Sequence, residues 1–263
     1  MKQNKVSLSK RDNDPKILLF DIETAPNLGY YFELYKEGNI LKNTKHWYML
    51  SYSAKWLDNK KTVTKTLPMF SPWKKDKTDD SGLVKSLWNL FDEADVLVAH
   101  NGNQFDIKKM NALFIKHGMN PPSPYRSIDT KLEAKRYFRF DSNKLDDLGN
   151  YLGVGRKLKH EGMDLWFDCM AGKLSAWKTM GKYNEQDVLL LERVYLKLLP
   201  WMNTHPNRNV YREVNCCPKC GSNKIIARGF TYTQTSRKRR HSCNNCGGWS
   251  SGKSESIKGL VIR

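Results

Sequence analysis

Four consecutive apolar residues, Ile17–Phe20, run straight into Asp21-Ile22-Glu23. A short unbroken apolar run marks a strand buried on both faces, which belongs in the middle of a sheet. Residues two apart on a strand share a face, so Asp21 and Glu23 project together. They do so at the strand's exit end, where open sheets bind ligands.

The rest of the chain is punctuated accordingly. His46–Leu57 and Lys61–Phe70 are rich in Trp, Tyr, Val and Thr and flank a turn-like Asp58-Asn59-Lys60, which predicts an antiparallel hairpin. Gly82–Glu93 spaces Leu83, Leu87, Leu90 and Phe91 as a helix does, with Ser81 placed to cap it. Val96–His100 reads as a second buried strand, and Asp106–Lys116 as a helix closed by His117-Gly118. Ser127–Asp129 closes a short strand, and helices follow over Thr130–Phe138 and Lys144–Leu152. Two further helices, Ser175–Gln186 and Asp187–Met202, are expected to run nearly without a break. Strands alternating with helices after an initial hairpin predict an α/β fold with a mixed sheet. Four regions follow: a polar basic arm (1–15), the α/β domain (16–202), a linker with Pro206 (203–215) and a short cysteine-bearing module (216–263).

A chain of 263 residues with 39% hydrophobic content can bury a full core. Its 45 Lys and Arg outnumber 27 Asp and Glu, and the net charge of +18 suggests a polyanionic partner. The first 15 residues lack the apolar centre of a secretory signal, and no run is long and apolar enough for a membrane span. Five of the six cysteines lie near the C-terminus, a clustering that suits a metal site in a reducing compartment better than a disulfide framework. A cytoplasmic protein with no membrane partner is expected.

Three acidic stretches carry the chemistry: Leu18–Thr24, Asn101–Asp106 and Tyr183–Asp187. Each alone has an ordinary explanation. Asp21 and Glu23 could be solvated acids at a strand end, and Asp106 a first-turn acid that offsets the helix dipole. Tyr183 and Asp187, four apart, share a helical face and could be a surface or core pair. Brought together, four carboxylates resist ionising unless cations sit between them. Hard ions with oxygen ligands, Mg²⁺ or Mn²⁺, are the natural partners.

The order of these stretches resembles the DEDD exonucleases, the DnaQ-like family that includes the proofreading domains of family B DNA polymerases and phage-type stand-alone exonucleases. The motifs are Asp21-Ile22-Glu23, Asn101 with Phe105-Asp106, and Tyr183-x-x-x-Asp187. The tyrosine assigns the DEDDy branch, since Lys182 and Tyr183 stand where the other branch needs a histidine. Ile128-Asp129-Thr130 looks like the family's Asp-Thr step before a helix. The resemblance covers roughly Lys16 to Met202. It implies an RNase H-like mixed five-stranded sheet flanked by helices, and two-metal hydrolysis from a 3′ end releasing nucleoside 5′-monophosphates. It also implies that Asp21, Glu23 and Asp187 hold the metal that binds the water. Asp21 would bridge to a second ion, Asp106 would support that ion mainly through water, and Tyr183 would orient the attacking water. Single-stranded DNA is the expected substrate. Asn101 and Phe105 are candidate contacts to it. In the basic loop Val154–His160, Arg156, Lys157 and Lys159 could grip phosphates, or simply be solvated. Trp166 and Trp177 could stack bases, although a core role is the plainer reading.

Cys217-x-x-Cys220 and Cys243-x-x-Cys246, with 22 residues between them, form two knuckles that predict one structural Zn²⁺ in a small β module, a zinc ribbon. Cys216 and His241 are near enough to compete as ligands. Residues 216–263 hold ten Lys or Arg and one acid, Glu255, including the run Arg237-Lys238-Arg239-Arg240 between the knuckles. With Tyr232 and Trp249 nearby, this resembles zinc ribbons that dock on nucleic acid. The expected partners are DNA ahead of RNA, and replication or recombination proteins. Rival readings are a junction-resolving endonuclease, an RNA-trimming exonuclease and a non-catalytic DNA-binding accessory protein.

Overall fold

The structure, a computed structural model, describes residues 14–32, 40–57, 59–159, 162–211 and 215–256. The expected basic arm (1–15, except Asp14 and Pro15), Asp58 of the expected turn, His160 of the basic loop and part of the expected linker (212–214) lie outside them. The chain divides into two compact units, Lys16–Val194 and a second made by Tyr195–Arg263 with the N-terminal residues.

In chain order the first unit comprises β1 (Ile17–Thr24), β2 (Leu28–Tyr30), β3 (Lys42–Lys45), β4 (Met49–Trp56) and β5 (Thr62–Thr66). Then come α1 (Pro72–Lys75), α2 (Ser81–Glu93), β6 (Val96–Ala99), α3 (Asp106–Lys116) and β7 (Arg126–Asp129). Four helices complete it: α4 (Thr130–Tyr137), α5 (Leu145–Tyr151), α6 (Asp164–Met170) and α7 (Leu174–Leu198), whose last turn belongs to the second unit. Five strands form one mixed sheet in the order β5-β4-β1-β6-β7. β1 pairs antiparallel with β4 and parallel with β6, so it is central, as its apolar run requires. The expected first hairpin is β4–β5, while β2 and β3 form a separate two-stranded ribbon that the alternation did not predict.

The two faces of β1 do different work. Leu18, Phe20 and Ile22 lie in the main core, where Phe20 meets Phe91 of α2 edge-on at 4.8 Å between ring centres, and Phe91 meets Phe114 of α3 at 5.8 Å. The alternate residues Ile17, Leu19, Asp21 and Glu23 share the other face. On β4 their partners there are Lys55, Ser53 and Ser51. All three are buried polar residues. Asn184 and Glu192 of α7 satisfy Ser51 and Lys55, the latter in a buried ion pair. That face is therefore apolar at one end and polar at the other, where the acids emerge.

Helix ends differ in small ways from expectation. Ser81 is the first helical residue of α2 rather than its cap, and Asp80 precedes it. The buried Asp80 carboxylate accepts from Met49 N at 2.8 Å and bonds His117 Nε2 at 2.7 Å, tying β4 to the end of α3. Gly118 ends α3 with φ of 66°, the left-handed turn expected there. The two helices expected around Tyr183 are one, α7, of 25 residues.

In the second unit, β8 (Ile225–Tyr232), β9 (Ser236–Cys243) and β10 (Trp249–Ser256) form an antiparallel sheet in the order β10-β9-β8. No helix of the described residues is long and apolar enough to cross a membrane.

His100 lies at the end of β6, with Nε2 donating to the Asn143 carbonyl and Nδ1 at 2.9 Å from Thr130 Oγ1. Burial pushes its pKa down to about 4. An unfolded chain takes up this proton near pH 6.5 and the folded chain refuses it, so stability is present above about pH 6.5 and falls as pH drops towards 4. The loss from this group is expected to reach no more than about 3 kcal/mol. Urea unfolding midpoints measured across that range should fall less steeply in His100→Gln than in the unaltered protein.

Candidate functional site

The polar end of β1 gathers the acids. Carboxylate oxygens of Asp21, Glu23 and Asp187 all lie within 4.8 Å of one another. Asp21 and Glu23 arrive on the central strand. Asp187 arrives from α7 and is 1% exposed. Asp106 opens α3 and accepts the amide of Ile22, between the two strand acids, at 3.2 Å. It stands outside the three-carboxylate group but next to Asp21, whose pKa it helps to raise. Tyr183, one turn before Asp187, has its ring 5.8 Å from Trp166 in an edge-on contact.

Crowding shows in the titration of these groups. Burial and then the charges of Asp106, Glu23 and Asp187 hold Asp21 well above the usual carboxylate range. Glu23 is pushed up to about 8, first by burial and then by Asp187. Asp106 rises to about 7 through burial, against the hydrogen bond from Ile22. The Tyr183 phenol is raised above its ordinary value by burial and by Asp187, so it stays protonated at neutral pH. Desolvated carboxylates that resist ionisation are what a divalent cation relieves, and an all-oxygen donor set fits Mg²⁺ or Mn²⁺.

Sequence reasoning missed three residues here. Asn184 Nδ2 donates to Asp21 Oδ2 at 2.6 Å and lies 3.3 Å from the Asp21 carbonyl oxygen, while Ser51 holds its own oxygen. Its place beside Tyr183 was the only available signal. Trp47 and Lys109 were the other two. Lys109 Nζ sits 3.7 Å from the centre of the Trp47 ring and 5.3 Å from that of Phe105. The signal for Lys109 was its position one helical turn after Asp106. Trp47, Phe105 and Lys109, with Glu23 and Trp166, line a cleft of about 310 Å³.

Lys157, a candidate phosphate contact, reaches into the carboxylates. Its Nζ donates to Asp187 Oδ2 at 2.6 Å and to the Tyr183 hydroxyl at 3.1 Å. Burial works against its charge, but Asp187, Tyr183 and Asp21 outweigh that and raise its pKa. Arg156 is turned to Asp146, at 2.6 Å, and Lys159 is exposed. Asp146 also accepts the Lys157 amide, which fixes where the loop delivers its lysine.

Asn101 takes the left-handed conformation, φ 66°, at the turn from β6 towards α3. Asparagine tolerates that conformation. Its side-chain oxygen accepts from Lys131 Nζ at 3.2 Å. Asp129, the cap of α4, also accepts the amides of Asn101 and Asn103 at 2.9 and 3.2 Å. The turn that delivers Asp106 is thus pinned from β7. Phe105 is 39% exposed at the cleft, whereas Trp177 is buried in the core, the plainer of its two readings.

In the second unit the sulfurs of Cys217, Cys220, Cys243 and Cys246 lie within 4.8 Å of one another. Two of the sulfur pairs, Cys217–Cys246 and Cys220–Cys243, stand 3.7 Å apart. Four thiolates about 2.3 Å from a tetrahedral zinc would be about 3.8 Å apart, so the set fits that ion. Gly221 and Gly247, with φ of 72° and 76°, let each knuckle close. Cys216 is outside the group and donates to Asn209 Oδ1 at 2.8 Å, and His241 is outside it too. Arg237, Lys238, Arg239 and Arg240 all lie on β9.

A model of the RNase_H superfamily matches residues 18–199. Among solved structures, the chain is similar to the family B DNA polymerase from the hyperthermophilic archaeon Pyrobaculum calidifontis, with a TM-score of 0.53 and 16% sequence identity. The match covers 71% of this chain and 25% of the polymerase, so the chain spans about a quarter of that protein's length. At that identity the likeness concerns the fold. No curated protein matches the chain by sequence. With a family model spanning more than half of its length and the mixed sheet carrying its acids at the end of β1, the chain belongs to the RNase_H superfamily and has the fold of an RNase H-like nuclease.

Proposed function

We propose that this chain is a metal-dependent 3′→5′ exonuclease of the DEDDy type that acts on single-stranded DNA, with a basic zinc-bound module that tethers it to nucleic acid. The observation that carries the reading is the convergence of Asp21, Glu23 and Asp187, with Asp106 beside them and the Tyr183 hydroxyl bonded to Lys157 at their edge. Asp21, Glu23 and Asp187 would hold one Mg²⁺ or Mn²⁺, and Asp21 with Asp106 a second. Such ions, when bound, supply a nucleophilic water and neutralise charge on the phosphate and the leaving oxygen.

The chain's own groups do the positioning. Asn184 fixes the rotamer of Asp21, and the Ile22 amide that of Asp106. Tyr183, a phenol protonated at neutral pH even at its ordinary pKa and more firmly so where burial raises it, orients a water rather than removing its proton. Lys157 holds Asp187 and Tyr183 together and places a cation where phosphate charge must be accommodated. The cleft between Phe105, Trp47 and Trp166 has room for a terminal nucleotide with its base against aromatic walls.

The overall reading is tested with end-labelled single- and double-stranded DNA and RNA incubated with Mn²⁺. A one-nucleotide ladder on 3′-ended single-stranded DNA, with a circular strand left intact, is the expected result, and cutting of the circle would overturn it. Asp21→Asn and Asp187→Asn should each lower the rate by about two orders of magnitude or more while retaining the circular dichroism of the folded protein. Lys157→Met should lower kcat by about tenfold or more with little change in KM, because it removes a charge from the reacting centre rather than from the flanking strand. Withdrawing divalent ions should abolish activity, and Mg²⁺ or Mn²⁺ should restore it. Cys220→Ser should release zinc and weaken DNA binding while leaving turnover at saturating DNA.

A further inference from the structure

Both faces of the three-stranded sheet carry planar groups: on one, the guanidinium of Arg240 lies 5.6 Å from the Trp249 ring, and on the other stands a longer row. Antiparallel pairing sets Phe230 opposite Arg239 and Tyr232 opposite Arg237. Paired residues share a face, so these four side chains stand together, and Thr231 and Lys238 take the other side. The guanidinium carbon of Arg237 lies 4.5 Å from the centre of the Phe230 ring, and that of Arg239 lies 5.0 Å from it. The Tyr232 ring follows at 6.3 Å from Phe230 and is 67% exposed. Glu255 of β10 bonds Arg237 Nε at 3.1 Å and orients it.

Cation–π pairs that merely brace a thin sheet would account for Phe230. They do not account for Tyr232, a large ring left in water at the end of the row. Nor do they account for a surrounding segment with ten basic residues and a single acid. A grip on a duplex backbone needs charge alone. Unpaired bases need planar faces as well, and aromatic rings and guanidinium planes both provide them.

We infer that Tyr232, at the open end of this row, stacks an unpaired base of single-stranded nucleic acid, while Arg237 and Arg239, braced on Phe230, meet its phosphates. This deepens the tether reading proposed above and rests on it. The module would then select the same strand form that the nuclease cleft consumes, and hold a strand between successive cleavages.

The test uses the full-length, zinc-loaded protein in Ca²⁺ in place of Mg²⁺, so that binding is read without turnover. Fluorescence anisotropy compares a closed circular oligothymidylate with a closed dumbbell duplex, neither of which offers a 3′ end to the nuclease cleft. Tyr232→Ser should weaken binding to the circular single strand by about tenfold and leave the duplex unaffected, with no change in salt slope. Tyr232→Trp should restore the affinity. Zinc content and circular dichroism confirm that each variant is folded. Unchanged affinity for the single strand, or equal losses on both ligands, would overturn the stacking assignment. The exonuclease reading is judged separately by its product ladder, so failure of one does not decide the other.

Discussion

Mutual repulsion among the acids at the end of β1 is the constraint on which the first unit turns. Carboxylates shielded from water and this close to one another favour the proton over the charge, as the elevated pKa values of Asp21 and Glu23 show, with burial the larger cause and their neighbours' charges the second. Such a cluster persists only if the backbone around it leaves no alternative. Here Asp21 and Glu23 are committed by their pairing with β4, Asp106 by the Ile22 amide, and Asp187 by a 25-residue helix. The apolar pairing of β1 with β6 and the Phe20–Phe91–Phe114 contacts behind it are therefore part of the site's machinery as much as of the core.

Lys157 and Asn184 ease that repulsion in different ways. Asn184 adds no charge and satisfies one oxygen of Asp21. Lys157 adds a full positive charge, delivered by a loop that Asp146 holds through both the Arg156 side chain and the Lys157 amide. A cation on a tethered loop can yield ground to metal ions and phosphate without leaving the site, which a residue on a rigid strand could not do.

The zinc module obeys a different rule. Its three strands bury a single side chain, Cys243, which with the buried Cys217 belongs to the knuckles. A sheet so thin would draw its stability from an ion held by the four clustered thiolates. Freed from packing a core, its faces can carry charge and aromatic rings outward, and the alternation of Arg237, Lys238, Arg239 and Arg240 along β9 distributes charge to both.

What the sequence determined alone was local. Ile17–Phe20 could only be a central strand, Gly118 ends α3, and the two Cys-x-x-Cys knuckles lie where their spacing placed them. The order of the three acidic stretches pointed to one pocket through its resemblance to the DEDD exonucleases, since each stretch alone had an ordinary explanation. Tertiary structure decided the rest. Lys157 was indistinguishable from its neighbours Arg156 and Lys159 until the loop was folded against α7. Asp80 read as a residue before a helix, yet it joins β4 to α3. Trp47 and Lys109 meet across 62 positions of chain. Periodicity and turn chemistry are written in adjacent residues, but the partner of a side chain is chosen by which distant segments the core brings within a few ångströms. Nothing in the neighbouring residues encodes that choice.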